Sequence, residues 1–137
     1  MLRLVIPKGS LEKSTLELFA DADLSIIRAS TVDYKGNIKD PRIDSVRVLR
    51  PQEIGSYVAD GLFDIGITGR DWIEETQSRV QTLCELHYSK NTARPVNIVV
   101  AVPEESQWSN VEDLPQGVKV STEYPQLTKA YFNNRGI

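Results

Sequence analysis

The stretch VRVLRPQEIGSYVADGLFDIGITGRDWIEE, residues 46–75, decides the fold of this chain. It begins with Val46–Arg50, which predicts a strand, and Pro51 then suits the first turn of a helix. A second apolar run, Asp64–Thr68, is followed by a helical pattern over 70–77. Strand, helix, strand and helix in this order predict an α/β layer fold with a largely parallel sheet.

The same alternation continues on both sides of this stretch. Ser10 is expected to cap a helix that follows the first strand. Residues 31–45 are rich in glycine, proline, asparagine and aspartate, which predicts a loop, and the polar, proline-flanked segment 103–117 predicts a linker or a short helix. Further strands are predicted at Leu2–Ile6, Leu24–Arg28, Val80–Leu86, Val96–Val102 and Val118–Thr122, with a last helix that opens at Pro125.

Composition narrows the class of protein. The 137 residues suffice for one domain or for a domain and part of a second, and 40% hydrophobic with 26% charged residues is typical of a soluble globular protein. The net charge of −3 argues against a polyanion binder, so no nucleic-acid partner is expected. No apolar run is long enough to span a bilayer, so no membrane partner is expected either. A single cysteine, Cys84, fits a cytoplasmic location and is expected to be a small core residue.

Basic residues recur where the first four predicted strands end. Lys8, Arg28, Arg50 and Arg70 each lie at the end of one of these strands or just beyond it. Ligands of open α/β sheets bind beyond the carboxyl ends of the strands, and helices that start there offer free N–H groups. Arginine also suits phosphate, because its planar fork bonds two oxygens at once. This edge of the sheet therefore reads as an anion site on an acidic protein.

Plain structural interpretations stand beside this hypothesis. Lysine and arginine are common at strand ends because strand ends lie at the surface. The pattern Thr68-x-x-Asp71 matches a capping box, which would satisfy helix N–H groups without a ligand, and Asp71 would repel an anion. His87 is the sole histidine and is expected at the surface, so the chain offers neither a Ser–His–Asp triad nor a multi-histidine metal site.

Several blocks of the sequence carry a family resemblance. LVIPKGSL at 4–11, residues 46–75, VNIVVAVPEES at 96–106 and STEYPQLTKAYFNNRGI at 121–137 resemble ATP phosphoribosyltransferase, in the order of that family. The resemblance implies two α/β lobes similar to type II periplasmic binding proteins, with residues 1–102 forming the first. Residues 103–137 would begin a second lobe that is incomplete, because the family's Thr/Gly-rich loop for the 5′-phosphate is not found. We therefore expect an N-terminal portion that is inactive alone.

The resemblance also implies the chemistry. The family joins N1 of the adenine of ATP to C1 of phosphoribosyl pyrophosphate, with Mg²⁺, and releases pyrophosphate in the first step of histidine biosynthesis. The partners implied are these two substrates, further copies of the chain in a dimer-based homo-oligomer and, for a short form, a regulatory subunit. Phosphate binding is expected from Lys8, Arg28 and Arg50, and no protein metal ligands are expected. Substrate contacts are expected from Gly9, Ser10, Thr68, Gly69, Arg70, Asp71, Tyr124 and Thr128.

Two other functional classes stay open at the level of sequence. A binding module of the periplasmic-binding type would hold a small anion or an amino acid without catalysis. An interaction subunit would use the strand predicted at Val118–Thr122, whose unpaired edge could join a partner.

Overall fold

The chain forms two compact units in the computed structural model, Met1–Ala93 and Arg94–Ile137. The structure describes residues 1–87 and 97–137. Each unit is described by itself below. The boundary predicted from sequence, between residues 102 and 103, lies inside the second unit.

The first unit is built around a five-stranded sheet with the strand order β2-β3-β4-β1-β5. β1 pairs in parallel with β4 and β5, whereas β3 is antiparallel to β2 and β4. β2 therefore runs with β4, and the prediction of a mostly parallel α/β sheet is confirmed. The elements are β1 (Leu2–Pro7), α1 (Glu12–Asp21), β2 (Ile26–Ile27), β3 (Lys35–Ile38), β4 (Ile43–Leu49), α2 (Pro51–Ala59), β5 (Ile65–Gly66) and α3 (Arg70–Thr76).

Strand β1 lies at the centre of the core because apolar groups cover both of its faces. Leu4 and Ile6 join a buried cluster against which Leu16 and Phe19 of α1 pack. Val5, between them, is fully buried as well. The uninterrupted apolar run Leu4–Pro7 of β1 is typical of a parallel strand that is buried on two sides.

Gly66 in β5 allows helix α2 to approach the sheet closely. A Cβ atom at this position would lie 2.7 Å from Ile54 Cγ2, 2.9 Å from Val58 Cγ2 and 3.1 Å from Val5 Cγ1. A glycine inside a strand often marks such a close approach. The absence of a side chain at Gly66 thus fixes how tightly α2 covers this face of β1.

The prediction of a loop over residues 31–45 is wrong in part, because this segment contains β3 and the first residues of β4. Gly36 and Asn37 are poor strand formers, which hides β3 from a propensity argument. The structure uses the glycine for packing: a Cβ atom at Gly36 would lie 2.8 Å from Ile26 Cγ2 of the neighbouring strand. Ser10 does not cap α1 either, since a 3₁₀ turn over Gly9–Leu11 precedes the helix, which starts at Glu12.

Three of the predicted later strands are not formed in the described residues. Residues 80–86, 97–102 and 118–122 have no strand structure, and Val96 lies outside the described residues. Leu83 and Val99 are three-quarters exposed, and Cys84 is exposed rather than a core residue. An apolar run becomes a strand only where a neighbour supplies backbone partners, and the described residues supply none for these three runs.

The second unit contains a 3₁₀ turn over Val111–Asp113 and helix α4, Pro125–Asn133, which confirms the predicted last helix. Leu114 and Phe132 are its buried apolar residues among those described. Among the same residues, no helix has the length and apolar character needed to cross a membrane.

A bidentate ion pair closes the amino-terminal edge of the sheet in the first unit. Arg3 Nε and Nη2 donate to the two carboxylate oxygens of Asp64 at 3.0 and 2.7 Å, and the backbone N–H of Arg3 donates to the same carboxylate at 2.7 Å. Arg3 also donates to the carbonyl of Gly61 at 2.9 Å. These bonds hold the pKa of Asp64 well below its ordinary value of 3.8. The clamp joins β1 to the start of β5, 61 residues apart.

Asp64→Asn is expected to lower the thermal midpoint at neutral pH and to matter progressively less in acid. The folded-state pKa of Asp64 is depressed, so its contribution to stability is complete above the unfolded-state pKa and disappears as the pH falls through the folded-state pKa. Thermal unfolding of both proteins from about pH 2 to about pH 7 measures the difference. Asp23→Asn, at an exposed position where asparagine tolerates the positive φ, is the matched control. A gap for Asp64→Asn that stays constant over this range would contradict the assignment.

Candidate functional site

The carboxyl ends of β1, β2, β4 and β5 meet at one edge of the sheet, which we call the rim. Lys8 directly follows β1, Arg50 directly follows β4 and Arg28 directly follows β2. Arg70 starts α3, which follows β5 after three residues. The topology thus brings the four predicted cations of the first unit to the same edge, where ligands of open α/β sheets bind.

Lys8 and Arg50 are neighbours across the central strand pair. Pro7 pairs with Leu49, and the N–H of Lys8 donates to the carbonyl of Leu49 at 2.7 Å. The next residues along both strands are therefore adjacent at about the 4.8 Å spacing of paired strands. Arg50 is exposed, and within the described residues its guanidinium forms no hydrogen bond or ion pair. It is the rim cation that is most available to a ligand.

The ammonium group of Lys8 is held by an aromatic side chain. Lys8 Nζ lies 4.4 Å from the ring centroid of Tyr34 and donates to its hydroxyl at 3.3 Å. Tyr34 immediately precedes β3, and because β3 is antiparallel its first residues lie at the same rim. The carbonyl of Tyr34 accepts a hydrogen bond from the N–H of Val48 at 3.0 Å, which fixes its backbone against β4.

Arg28 is occupied by bonds within the protein. Its side chain is 8% exposed and pairs with Glu12 at 2.5 Å. Its Nε and Nη2 donate to the carbonyl of Asp33 at 2.9 and 2.5 Å, and Nη2 donates to the carbonyl of Thr31 at 2.6 Å. The same Glu12 accepts a hydrogen bond from the N–H of Gly9 at 3.2 Å. The guanidinium thus links α1 to the loop between β2 and β3.

The β5–α3 junction differs from the predicted capping box. Gly69, rather than Thr68, is the cap residue of α3, and it makes no side-chain cap hydrogen bond. Thr68 Oγ1 instead donates to the carbonyl of Pro51 at 2.7 Å, so it ties this junction to the start of α2. Arg70 pairs with Glu74 on its own helix at 2.9 Å, and Asp71 lies in the first turn of α3.

The loop that follows β1 has a backbone that only glycine adopts readily. Gly9 has a φ of +85°, and a Cβ atom there would meet no other atom within 4 Å. Ser10 is exposed beside it. Both residues follow Lys8 at the rim, and the space beside the α-carbon of Gly9 is open.

The remaining two predicted contact residues lie together in the second unit. Tyr124 precedes α4, and its N–H donates to Thr122 Oγ1 at 3.0 Å. Thr128 Oγ1 donates to the same hydroxyl at 3.2 Å, and the N–H of Thr128 donates to the carbonyl of Tyr124 at 2.9 Å. These bonds fix the first turn of α4.

Sequence reasoning missed Tyr34 and Glu12. The role of Tyr34 was not predicted because the strand that follows it, β3, was predicted as loop. An aromatic residue directly before a strand at the ligand edge is nevertheless a usable signal. Glu12 follows the Lys8–Gly9–Ser10 turn and was read only as part of a helix. In the part of the chain that the structure describes, no three His, Cys, Asp or Glu side chains converge on a metal position. His87 is exposed, 4.0 Å from Glu85.

The fold and the rim define a class of protein: an open α/β domain with basic side chains at the ligand edge of a mostly parallel sheet. The sequence profile of the ATP phosphoribosyltransferase family matches residues 50–137. The chain belongs to the ATP phosphoribosyltransferase family.

Curated relatives match along the whole chain. It is 44% identical over all 137 residues to the ATP phosphoribosyltransferase of Trichlorobacter lovleyi, 43% to that of Chlorobaculum parvum and 42% to that of Chlorobium phaeobacteroides. In each case it covers 46% of the relative, so the chain spans about half the length of these relatives.

A solved structure shares the fold. This structure is the ATP phosphoribosyl transferase (HisG:HisZ) complex from Thermotoga maritima. The chain is similar to it with a TM-score of 0.65 and 23% sequence identity. The match covers 99% of this chain and 60% of the solved chain. At this identity the likeness supports the fold.

Proposed function

We propose that this chain is part of an ATP phosphoribosyltransferase, which joins N1 of the adenine of ATP to C1 of phosphoribosyl pyrophosphate and releases pyrophosphate. The observation that carries the proposal is the match of all 137 residues, at 42–44% identity, to relatives of that name. Membership of the family makes it a transferase, and the proposal places it in the first step of histidine biosynthesis.

The rim supports this chemistry from the residues upward. In the reaction the bond between C1 and the pyrophosphate oxygen breaks as the bond from N1 to C1 forms, and negative charge grows on the leaving group. Such a step depends on positioning and on fixed cations rather than on a protein nucleophile. Lys8 and Arg50, adjacent at the ends of β1 and β4, are proposed to bind the phosphate oxygens.

The other predicted residues of the rim are proposed to border the bound substrate. Gly9 leaves open space beside Lys8, which would let a phosphate approach the backbone, and Ser10 is exposed next to it. Gly69 and Arg70 follow Thr68, which is anchored to the start of α2, so the β5–α3 junction is firmly placed. Asp71 is proposed to meet ribose or base rather than phosphate, because its carboxylate repels anions. Tyr124 and Thr128 stay predictions from the family resemblance, argued from the second unit alone.

Mg²⁺ is proposed to arrive with the substrate. The described residues provide no cage of acidic side chains, and Mg²⁺ commonly binds through substrate phosphates and water. A rim of cations fits this arrangement, because Lys8 and Arg50 would bind phosphate oxygens and the ion would be held by the substrate's own oxygens. When bound, the ion neutralises charge on the leaving group.

The proposal extends to assembly and location. The solved structure that shares the fold is a HisG:HisZ complex, which favours association with further subunits. We propose a dimer-based homo-oligomer, joined in a short form by a regulatory subunit. The sequence, with its single cysteine, supports a cytoplasmic location.

Arg50→Ala is expected to weaken binding of inorganic pyrophosphate to this chain by about 10-fold to 100-fold, the range for a lost charge-assisted hydrogen bond. Titration calorimetry at low salt measures the dissociation constant. Arg42→Ala is the matched control, because Arg42 precedes β4 at the opposite edge of the sheet and should leave affinity unchanged. Equal affinity in the wild-type chain and Arg50→Ala would remove Arg50 from the site.

Turnover is expected to require sequence beyond the 137 residues. Assayed with ATP, phosphoribosyl pyrophosphate and Mg²⁺, the chain alone should form no product. A chimaera that appends the remaining carboxyl-terminal part of the Trichlorobacter lovleyi relative should restore product formation, and Arg50→Ala in the chimaera should reduce it. A chimaera that folds and binds amino acids but not ATP would favour a non-catalytic binding module and overturn the proposal.

A further inference from the structure

We propose that Tyr34 and Arg28 are positioning residues that hold the ammonium group of Lys8 at the rim. The inference rests on the proposed function, since it takes Lys8 as a phosphate contact. It assigns Arg28 a positioning role in place of direct phosphate binding. It also assigns a role to Tyr34, for which the family resemblance implied none.

The side chain of Lys8 is flexible by nature, with four rotatable bonds that must be ordered before its charge can act at one point. Tyr34 supplies two contacts to this charge. The ammonium lies 4.4 Å from the ring centroid, within cation–π range, and donates to the hydroxyl at 3.3 Å. Tyr34 is 53% exposed, so its ring is not a core residue. Among the described residues, the side chain of Tyr34 forms its cation–π contact and its hydrogen bond with Lys8.

The loop that presents Tyr34 is fastened by Arg28. The guanidinium donates to the carbonyls of Thr31 and Asp33, and Asp33 is the residue directly before Tyr34. At 8% exposure and with Glu12 at 2.5 Å, the charge of Arg28 is already paired inside the protein. A substrate phosphate would have to displace these bonds to reach it. The loop, rather than a ligand, is what Arg28 binds.

These contacts form a closed series that begins and ends at Lys8. Glu12 pairs with Arg28 and also accepts from the N–H of Gly9, the residue after Lys8. Lys8 is thus held on its chain side through Gly9 and Glu12, and at its ammonium end through Tyr34. Glu12 also cancels the charge of Arg28, so the free positive charge at this part of the rim comes from Lys8 and Arg50.

A double-mutant cycle tests the proposal on the 137-residue chain, with inorganic pyrophosphate as the probe. Tyr34→Leu is expected to weaken binding about fivefold to tenfold, and Tyr34→Phe, which keeps the ring, about twofold. In a Lys8→Ala background, Tyr34→Leu should have no further effect, because its target is gone. Arg28→Lys, which keeps the charge but loses the fork, should weaken binding in the wild-type background and not in Lys8→Ala. Losses that persist in the Lys8→Ala background would overturn the proposal.

A ligand-free readout separates this inference from the proposed function. The ε-methylene protons of Lys8 over the Tyr34 ring should be shifted upfield in proton NMR spectra, and Tyr34→Leu should abolish the shift. If the shift is present and pyrophosphate fails to bind, the proposed function falls and the positioning of Lys8 stands. If the wild-type chain shows no such shift, the inference falls whatever the affinity for pyrophosphate. Tyr34 is half exposed, so the leucine variant is expected to fold, which circular dichroism verifies.

Discussion

The structure of the first unit depends on the parallel pairing of β1 between β4 and β5. Val5 and Ile6 are fully buried, and the pairing from Leu4 to Pro7 aligns the end of β1 with the end of β4. Since the three strands run in one direction, their carboxyl ends share an edge, and helices α1 and α2 must return over the two faces. The rim is therefore a consequence of core burial, and the packing of the protein alone is enough to form it.

Packing, and not the number of basic residues in the sequence, determines which cations at the rim are paired with a carboxylate. Arg28 and Arg70 are bound to Glu12 and Glu74, while Arg50 is exposed and the ammonium group of Lys8 contacts the ring and the hydroxyl of Tyr34. An acidic protein can bind anions in this way, because a few cations are left unneutralised where backbone and glycine leave space. At the opposite edge, the Arg3–Asp64 pair closes the sheet and leaves no comparable free charge on either partner.

The sequence predicted the parts of the fold whose signals are local. The apolar residues of β1, β4 and β5, with Pro51 starting α2, identify the α/β unit and the edge where Lys8 and Arg50 lie. β3 was missed because Gly36 and Asn37 have low strand propensity, although Gly36 allows close packing against Ile26 of the neighbouring strand. The runs at 80–86 and 118–122 looked like strands, but pairing depends on neighbours that a local pattern does not contain. The engagement of Arg28 with Glu12 escaped for the same reason, since 16 residues separate the partners.

The central claim is that the carboxyl edge of the sheet binds the phosphates of the substrates. Amide NMR spectra of the 137-residue chain during titration with inorganic pyrophosphate test it most directly. The claim predicts the largest shifts at residues 8–10, 50 and 52, on both sides of the β1–β4 pairing, with the opposite edge at residues 42, 43 and 61–64 unchanged. Shifts centred on the opposite edge, or spread evenly over the exposed lysines and arginines, would contradict it.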